Sequence, residues 1–317
     1  MGLFFSTLTG ILTVLLIGIV GASIFHGTNS KESYLDVLST FFVRIALPCL
    51  IFKNLATNFR PREVSLWWIF PLLGISLFIA GGILAYAYTK MDHSVKHREV
   101  FISSVVFHNS IILPLAIAPV LFSPEKLETF LSYLFLYNLL TVPAFFTAGV
   151  WLMKSAVGEK MAIANFINPP NVATILGLVV GGCGLLSYIP EFFMMPVSMF
   201  GSLTTPLSMI IVGGIIITSI PKVKGGDWAD PIKVMILKSL VLPSLACAMV
   251  CLFRPSENVG LFIILGAAMP VGSTLAVICP ANESIRKQLA GNILLSSLAS
   301  IFAIAIFMSI YVTVYGQ

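Results

Sequence analysis

Ten long apolar runs occupy most of the 317-residue chain. A transmembrane helix needs about 20 consecutive apolar residues, and most of the runs have that length. Inside a bilayer every backbone N–H and C=O must find a partner within the protein, so the runs are predicted to be helices. They cover residues 3–25, 35–56, 66–88, 99–122, 129–153, 172–186, 192–220, 232–253, 259–279 and 290–314.

The composition supports an all-α polytopic membrane protein. Hydrophobic residues make up 58% of the chain and charged residues only 10%, whereas soluble domains carry roughly 25% charged residues. The formal charge of +5 comes without any long basic run, so we expect no nucleic-acid partner. The five cysteines have no metal-type spacing. Cys247 and Cys251, one helical turn apart, are interpreted as packing residues, and no cofactor or metal is expected.

The loops between the runs differ in their content of basic residues. Alternate loops hold eleven Lys and Arg residues on one side and five on the other. Basic residues favour the cytoplasmic side, so both termini are predicted to lie outside a cell membrane, plasma or inner. The chain begins without the basic region of a secretory signal, and we expect the first run to be retained as a helix.

Two runs contain a proline where an unbroken helix would need an amide. Pro114 leaves the carbonyl of Ser110 without its helical donor, and Pro270 does the same for Gly266. The two prolines lie 156 positions apart, close to half the chain. Broken apolar segments at matching places in two halves indicate the binding site of a secondary transporter.

Other prolines repeat at nearly the same interval. Pro48 in the second run corresponds to Pro206 in the seventh, which is long enough to bend there. Five spans in each half reverse the orientation of the second half. We therefore predict two inverted five-helix repeats, residues 1–160 and 161–317, with helices four and nine broken and crossed.

Several segments resemble the auxin efflux carrier family of the bile acid/auxin transporter superfamily. They are Asn109-Ser-Ile-Ile-Leu-Pro114-Leu, Ile167-Asn-Pro-Pro-Asn-Val-Ala-Thr-Ile-Leu-Gly177 and Ala267-Ala-Met-Pro-Val-Gly272, and the Leu47-Pro48 turn also fits. The chain lacks the long central loop of the plant exporters. It is more similar to bacterial members that carry malonate and other organic anions.

The resemblance implies an elevator mechanism. Helices 1, 2, 6 and 7 would form a scaffold, and helices 3–5 and 8–10 would form a transport domain. A homodimer through the scaffold helices is a further hypothesis. The substrate would be a small organic anion such as an auxin-like or dicarboxylic acid, with the lipid bilayer as the other partner. The related bile-acid symporters make a sodium-coupled organic-anion symporter the alternative.

The candidate substrate-binding residues surround the two breaks, where helix N-termini favour a carboxylate. They are His108, Asn109, Ser110, Pro114, Asn138, Pro270, Ser273, Thr274 and, deeper in the second run, Arg44. An interhelical hydrogen bond is the alternative role for Asn109 and for Asn138, which is included because of the resemblance. Arg44 either neutralises the substrate or extends to the surface, and Lys238 is expected to extend to the surface.

The coupling ion stays open at this point. All thirteen acidic residues fall in loops or at span ends, so no carboxylate within a span can carry a proton or bind sodium. His108 is either a proton carrier or a packed, hydrogen-bonded side chain. Freed carbonyls and hydroxyls could hold sodium. Nothing in the chain resembles a channel filter or a catalytic motif, so we expect a carrier and neither a channel nor an enzyme.

Overall fold

A computed structural model describes residues 8–9, 12–13, 16–21, 23, 31–60, 66–158, 169–222, 228–276, 278–279 and 282–315. The first predicted helix and the central loop fall largely or wholly outside the described residues. In the described part the regular elements are helices, together with one isolated backbone bridge.

The helices of the described part are labelled in chain order. Residues 1–160 contain α1 (Lys31–Phe41), α2 (Leu47–Asn58), α3 (Ile69–Met91), α4 (Arg98–Val106), α5 (Ile112–Leu121), α6 (Pro124–Ala144) and α7 (Val150–Ser155). Residues 161–317 contain α8 (Pro169–Gly182), α9 (Glu191–Ser202), α10 (Thr204–Lys222), α11 (Ala229–Ile236), α12 (Leu242–Phe253), α13 (Glu257–Ala268) and α14 (Glu283–Tyr315).

Among the described residues, six helical stretches are long and apolar enough to cross a bilayer, which supports the predicted all-α, multi-pass membrane protein. They are Tyr34–Asn58, Ile69–Met91, Pro124–Ser155, Glu191–Ile211, Ala229–Phe253 and Glu283–Tyr315. The fourth predicted run is divided between α4 and α5. The sixth and ninth runs correspond to the shorter apolar helices α8 and α13. The full count of ten spans stays a prediction.

Prolines mark the irregular turns of the long helices. Phe42–Ala46, Phe145–Gly149 and Leu237–Val241 are π-helical, and Pro48, Pro143 and Pro243 lie within two residues of them. A proline ring collides with the carbonyl four residues earlier, and for Pro48 and Pro243 that carbonyl lies in the wider turn, which moves it away; the turn near Pro143 follows its proline and has no such explanation. The seventh run is divided at Leu203, three residues before Pro206.

Two groups of helices pack closely. Helix α2 lies on α8, where a Cβ at Gly177 would come within 2.8 Å of the Leu55 side chain. The glycine at position 177 therefore permits this close contact. In the other group, α3 packs against α4, α6 and α13, while α14 packs against α11, α12 and α13. This second group contains α4 and α13, the first helical pieces of the two interrupted runs, whereas α5 packs mainly against α10.

A polar network ties the ends of this second group at the predicted cytoplasmic side. The Lys233 ammonium lies 2.8 Å from the Asp92 carboxylate and donates to Ser94 Oγ at 2.7 Å. Hydrogen bonds from Lys233 and Ser94 hold the pKa of the Asp92 carboxyl well below its usual range. The backbone amide of Lys96 donates to Asp230 at 3.0 Å. The loop after α3 is thereby joined to α11.

Candidate functional site

The first interrupted run breaks before its proline. Helix α4 ends at Val106, the chain is extended at Phe107, and α5 begins at Ile112. Pro114 is therefore the third residue of α5, in the turn where a helix amide has no partner in any case. The sequence predicted that the second half-helix begins near Pro114. In the structure it begins two residues earlier, at Ile112.

The second interrupted run breaks just before Pro270. Helix α13 ends at Ala268, the backbone is extended at Met269, and a short 3-10 turn covers Ser273–Ala276. The sequence predicted a second half-helix starting near Pro270. Among the described residues the segment that follows is this single turn, and Pro270 lies between the two helical pieces and not in the first turn of the second.

The two breaks are hydrogen bonded to each other. The amide of Asn109 donates to the Pro270 carbonyl at 2.9 Å, and the amide of Gly272 donates to the Phe107 carbonyl at 2.8 Å. His108 and Val271 thus form an antiparallel bridge. We call residues 107–111 and 269–272 together the break junction. Main-chain groups that lost helical partners satisfy one another there, as an apolar surrounding requires.

Gly272 permits this close approach. A Cβ at this position would lie 3.1 Å from the Phe107 carbonyl oxygen and 3.3 Å from that of His108. These distances are shorter than ordinary van der Waals contact, so a side chain would separate the two strands.

Asn138 on α6 holds the first break in place. Its amide nitrogen donates to the carbonyls of Ser110, at 3.0 Å, and Leu134, at 2.8 Å. Its Oδ1 accepts from the hydroxyls of Ser110, at 2.6 Å, and Thr141, at 3.1 Å. The carbonyl that Pro114 frees therefore finds its donor in Asn138. With both amide hydrogens used, this side chain supports the junction.

The His108 side chain is hydrogen bonded to the hydroxyl of Tyr137. Its Nε2 lies 2.7 Å from the Tyr137 hydroxyl, and its ring meets Phe78 edge to face at 5.1 Å between centroids. Both His108 and Tyr137 are buried. This is the geometry of a packed, hydrogen-bonded histidine, one of the two alternatives for this residue.

Asn109 retains donor capacity. Its Oδ1 accepts from the amide of Leu113 at 3.3 Å and so helps to cap α5. Among the described residues, none accepts a hydrogen bond from its Nδ2, and the side chain is only half-buried. A half-buried amide donor beside the N-terminus of α5 is suited to a carboxylate oxygen.

The other candidate residues differ in their positions. Ser273 and Thr274 follow the second break directly, and the described contacts contain no hydrogen bond from either side chain. Pro114 is buried within α5. Arg44 is exposed on the π-helical turn before α2, which packs against α1, α2, α8, α9 and α10. No described hydrogen bond or ion pair joins Arg44 to the break junction.

The expectation for Lys238 is wrong. This side chain does not reach the surface but is fully buried, and its ammonium donates to the Val105 carbonyl at 3.0 Å. Lys238 lies on the π-helical turn Leu237–Val241, and its ammonium reaches a carbonyl in the last turn of α4.

Sequence reasoning also missed polar residues that support the junction from α14. The amide of Asn292 donates to Ser104 Oγ at 2.8 Å, and Ser296 Oγ accepts from the amide of Val271 at 3.1 Å. Their spacing of four residues within an apolar run was a signal of one shared helical face.

A polar cavity lies between the end of α2 and the first half of α6 and has a volume of about 430 Å³. Its walls include Arg60, Glu125, Ser132, Tyr133 and Leu136. None of its lining residues belongs to the break junction. Within the described residues no cluster of metal-ligating side chains is present.

The apolar helices define a multi-pass membrane protein. Its two interrupted apolar segments are hydrogen bonded to each other at their breaks, so main-chain polar groups lie inside the fold. The sequence profile of a family described as membrane transport protein matches residues 4–308. The chain belongs to this family, that of the auxin efflux carriers, and is a membrane transporter. A search of curated proteins gives no match.

Proposed function

We propose that the chain is a secondary carrier of small organic anions and that the substrate carboxylate binds at the break junction. The proposal rests on Asn109, which is half-buried beside the first turn of α5. Among the described residues, none accepts a hydrogen bond from its Nδ2. The helix terminus contributes positive partial charge. Ser273 and Thr274 supply hydroxyls from the other break.

The charge around the junction supports an anionic substrate. Every acidic residue of the chain lies in a loop or at a span end. A cationic substrate would therefore find no carboxylate partner there, whereas an anion finds amide and hydroxyl donors. This polarity distinguishes the proposal from a carrier of amines.

The proposed architecture is that of two inverted five-helix repeats, 1–160 and 161–317, with helices four and nine crossing at the break junction. Helix α2 packs most closely with α8, and α3 packs with α4, α6 and α13, which in turn contacts α14; this grouping supports an elevator mechanism. The second group would carry the substrate past the first.

Counterflow in proteoliposomes tests the proposal. Vesicles that contain the purified protein and an unlabelled carboxylate should accumulate the labelled compound transiently, and a panel of mono- and dicarboxylates identifies the best substrate. A dicarboxylate should compete strongly, and a diamine of equal length should not. Equal competition by the diamine would contradict the anion site, and flux without counterflow would indicate a channel.

A further inference from the structure

Lys238 places a positive charge at the end of a half-helix. Its Nζ donates to the Val105 carbonyl, which belongs to the last turn of α4. In a continuous helix this carbonyl would accept from the amide of residue 109. The Asn109 amide instead donates to Pro270, so the break itself creates the acceptor that Lys238 uses.

The surroundings of Lys238 suit a cation. The last carbonyls of α4 carry the negative partial charge of its C-terminal end. No carboxylate of the described residues pairs with the ammonium. Its positive charge is therefore matched by a helix end and not by an acidic side chain.

Two buried oxygen atoms on neighbouring helices are not hydrogen bonded to any described residue. They are Ser103 Oγ on α4 and Asn292 Oδ1 on α14. The two helices pack against each other, and α14 also packs against the turn that carries Lys238. Hydroxyl, amide and carbonyl oxygens are ligands of hard cations, and half-helix C-termini bind the coupling ion in many secondary transporters.

We propose that the Lys238 ammonium occupies the position of a coupling cation, so that this carrier works without sodium and removal of the side chain opens a site for a small monovalent cation. The transport part of this inference rests on the proposed function. The binding part concerns the protein alone.

Thermal unfolding of the purified protein tests the cation site. Wild type, Lys238→Ala and Lys238→Met are compared in NaCl, LiCl and choline chloride at constant ionic strength. The alanine variant removes the charge and leaves space, whereas methionine removes the charge and fills the space. Sodium or lithium should raise the Tm of Lys238→Ala by about 3 °C at ten times Kd. The Tm of wild type and of Lys238→Met should not respond.

A folded Lys238→Ala whose Tm ignores both cations would overturn the proposal, as would a sodium-dependent Tm in wild type. If Lys238→Ala does not fold, the sodium dependence of uptake by the wild-type protein still tests the inference. Its uptake of a carboxylate should be unchanged when choline replaces sodium on both sides, and a requirement for sodium would overturn the inference. Failure to transport any anion would contradict the proposed function, but the unfolding measurements would still decide on the cation site.

Discussion

The hydroxyl of Ser132 on α6 donates to Oδ1 of Asn54 on α2 at 2.8 Å, and Asn54 Nδ2 donates to the Glu128 carbonyl at 3.3 Å. These contacts join α2 to α6. The elevator mechanism assigns α2, part of the second predicted helix, to the scaffold and α6, part of the fifth, to the transport domain. If the mechanism is right, the contacts must break during each transport cycle.

Covalent linkage of this pair should therefore stop transport. Asn54→Cys and Ser132→Cys are introduced together into a protein whose five native cysteines are replaced, and a short thiol reagent bridges them. Uptake should fall to background and recover after a reducible bridge is cleaved. Each single-cysteine variant is the control. Undiminished uptake by fully bridged protein would mean that the two spans move as one body.

Gly272→Ala should destabilise the break junction. The added Cβ meets the Phe107 carbonyl at 3.1 Å, and overpacking of this kind costs about 1–3 kcal/mol. Gly82→Ala on α3 is the matched control, because its Cβ would meet nothing closer than 3.6 Å. A lower Tm is expected only for Gly272→Ala. Equal Tm values would show that the junction can widen freely.

Tyr137→Phe should leave a nitrogen of His108 buried without its partner. The expected loss of stability is about 1–3 kcal/mol. The same change at Tyr188, which is 81% exposed, should have no effect on thermal unfolding. If Tyr137→Phe unfolds like wild type, another group or a water molecule satisfies His108, and the pair is not required to hold the junction.

Asn109→Ala should weaken substrate binding by roughly 1.5–3 kcal/mol, the value of one hydrogen bond to a charged group. This corresponds to about a 10- to 150-fold loss of affinity. Asn109→Asp should abolish anion transport at neutral pH, with partial recovery on acidification as the new carboxylate is neutralised. Binding and Tm are measured on the same preparations. Normal affinity in a destabilised Asn109→Ala would move this residue from the site to the supporting structure.

The orientation in the membrane is tested by fusion. The loops on one predicted side hold eleven basic residues against five on the other, so both termini should lie outside. A reporter that works only in the cytoplasm should be inactive after Gln317 and active in the loop before Arg98. The opposite pattern would mean that the orientation is wrong.

Local chemistry explains which features could be predicted from the sequence. A missing amide hydrogen is a property of proline itself, so Pro114 and Pro270 located both breaks to within a few residues. The freed carbonyl of Ser110 followed from the same reasoning. Its donor could not be identified in this way, since Asn138 is brought to it by the packing of α6.

The error at Lys238 has a tertiary cause. A long cationic side chain a few turns inside a span usually reaches the surface, and its sequence neighbours are all apolar or small. The acceptor at Val105 exists only because another part of the chain takes the Asn109 amide. No pattern in the eighth run carries that information.

The break junction is held chiefly by main-chain atoms of Phe107, Asn109, Pro270 and Gly272. Main-chain donors and acceptors hardly depend on which side chains surround them, so positions 109, 273 and 274 can be substituted without removing these two bonds. The same junction can thus serve carriers with different cargoes. Evolution of a new specificity would require changes at a few side chains, while the backbone pairing that positions them stays as it is.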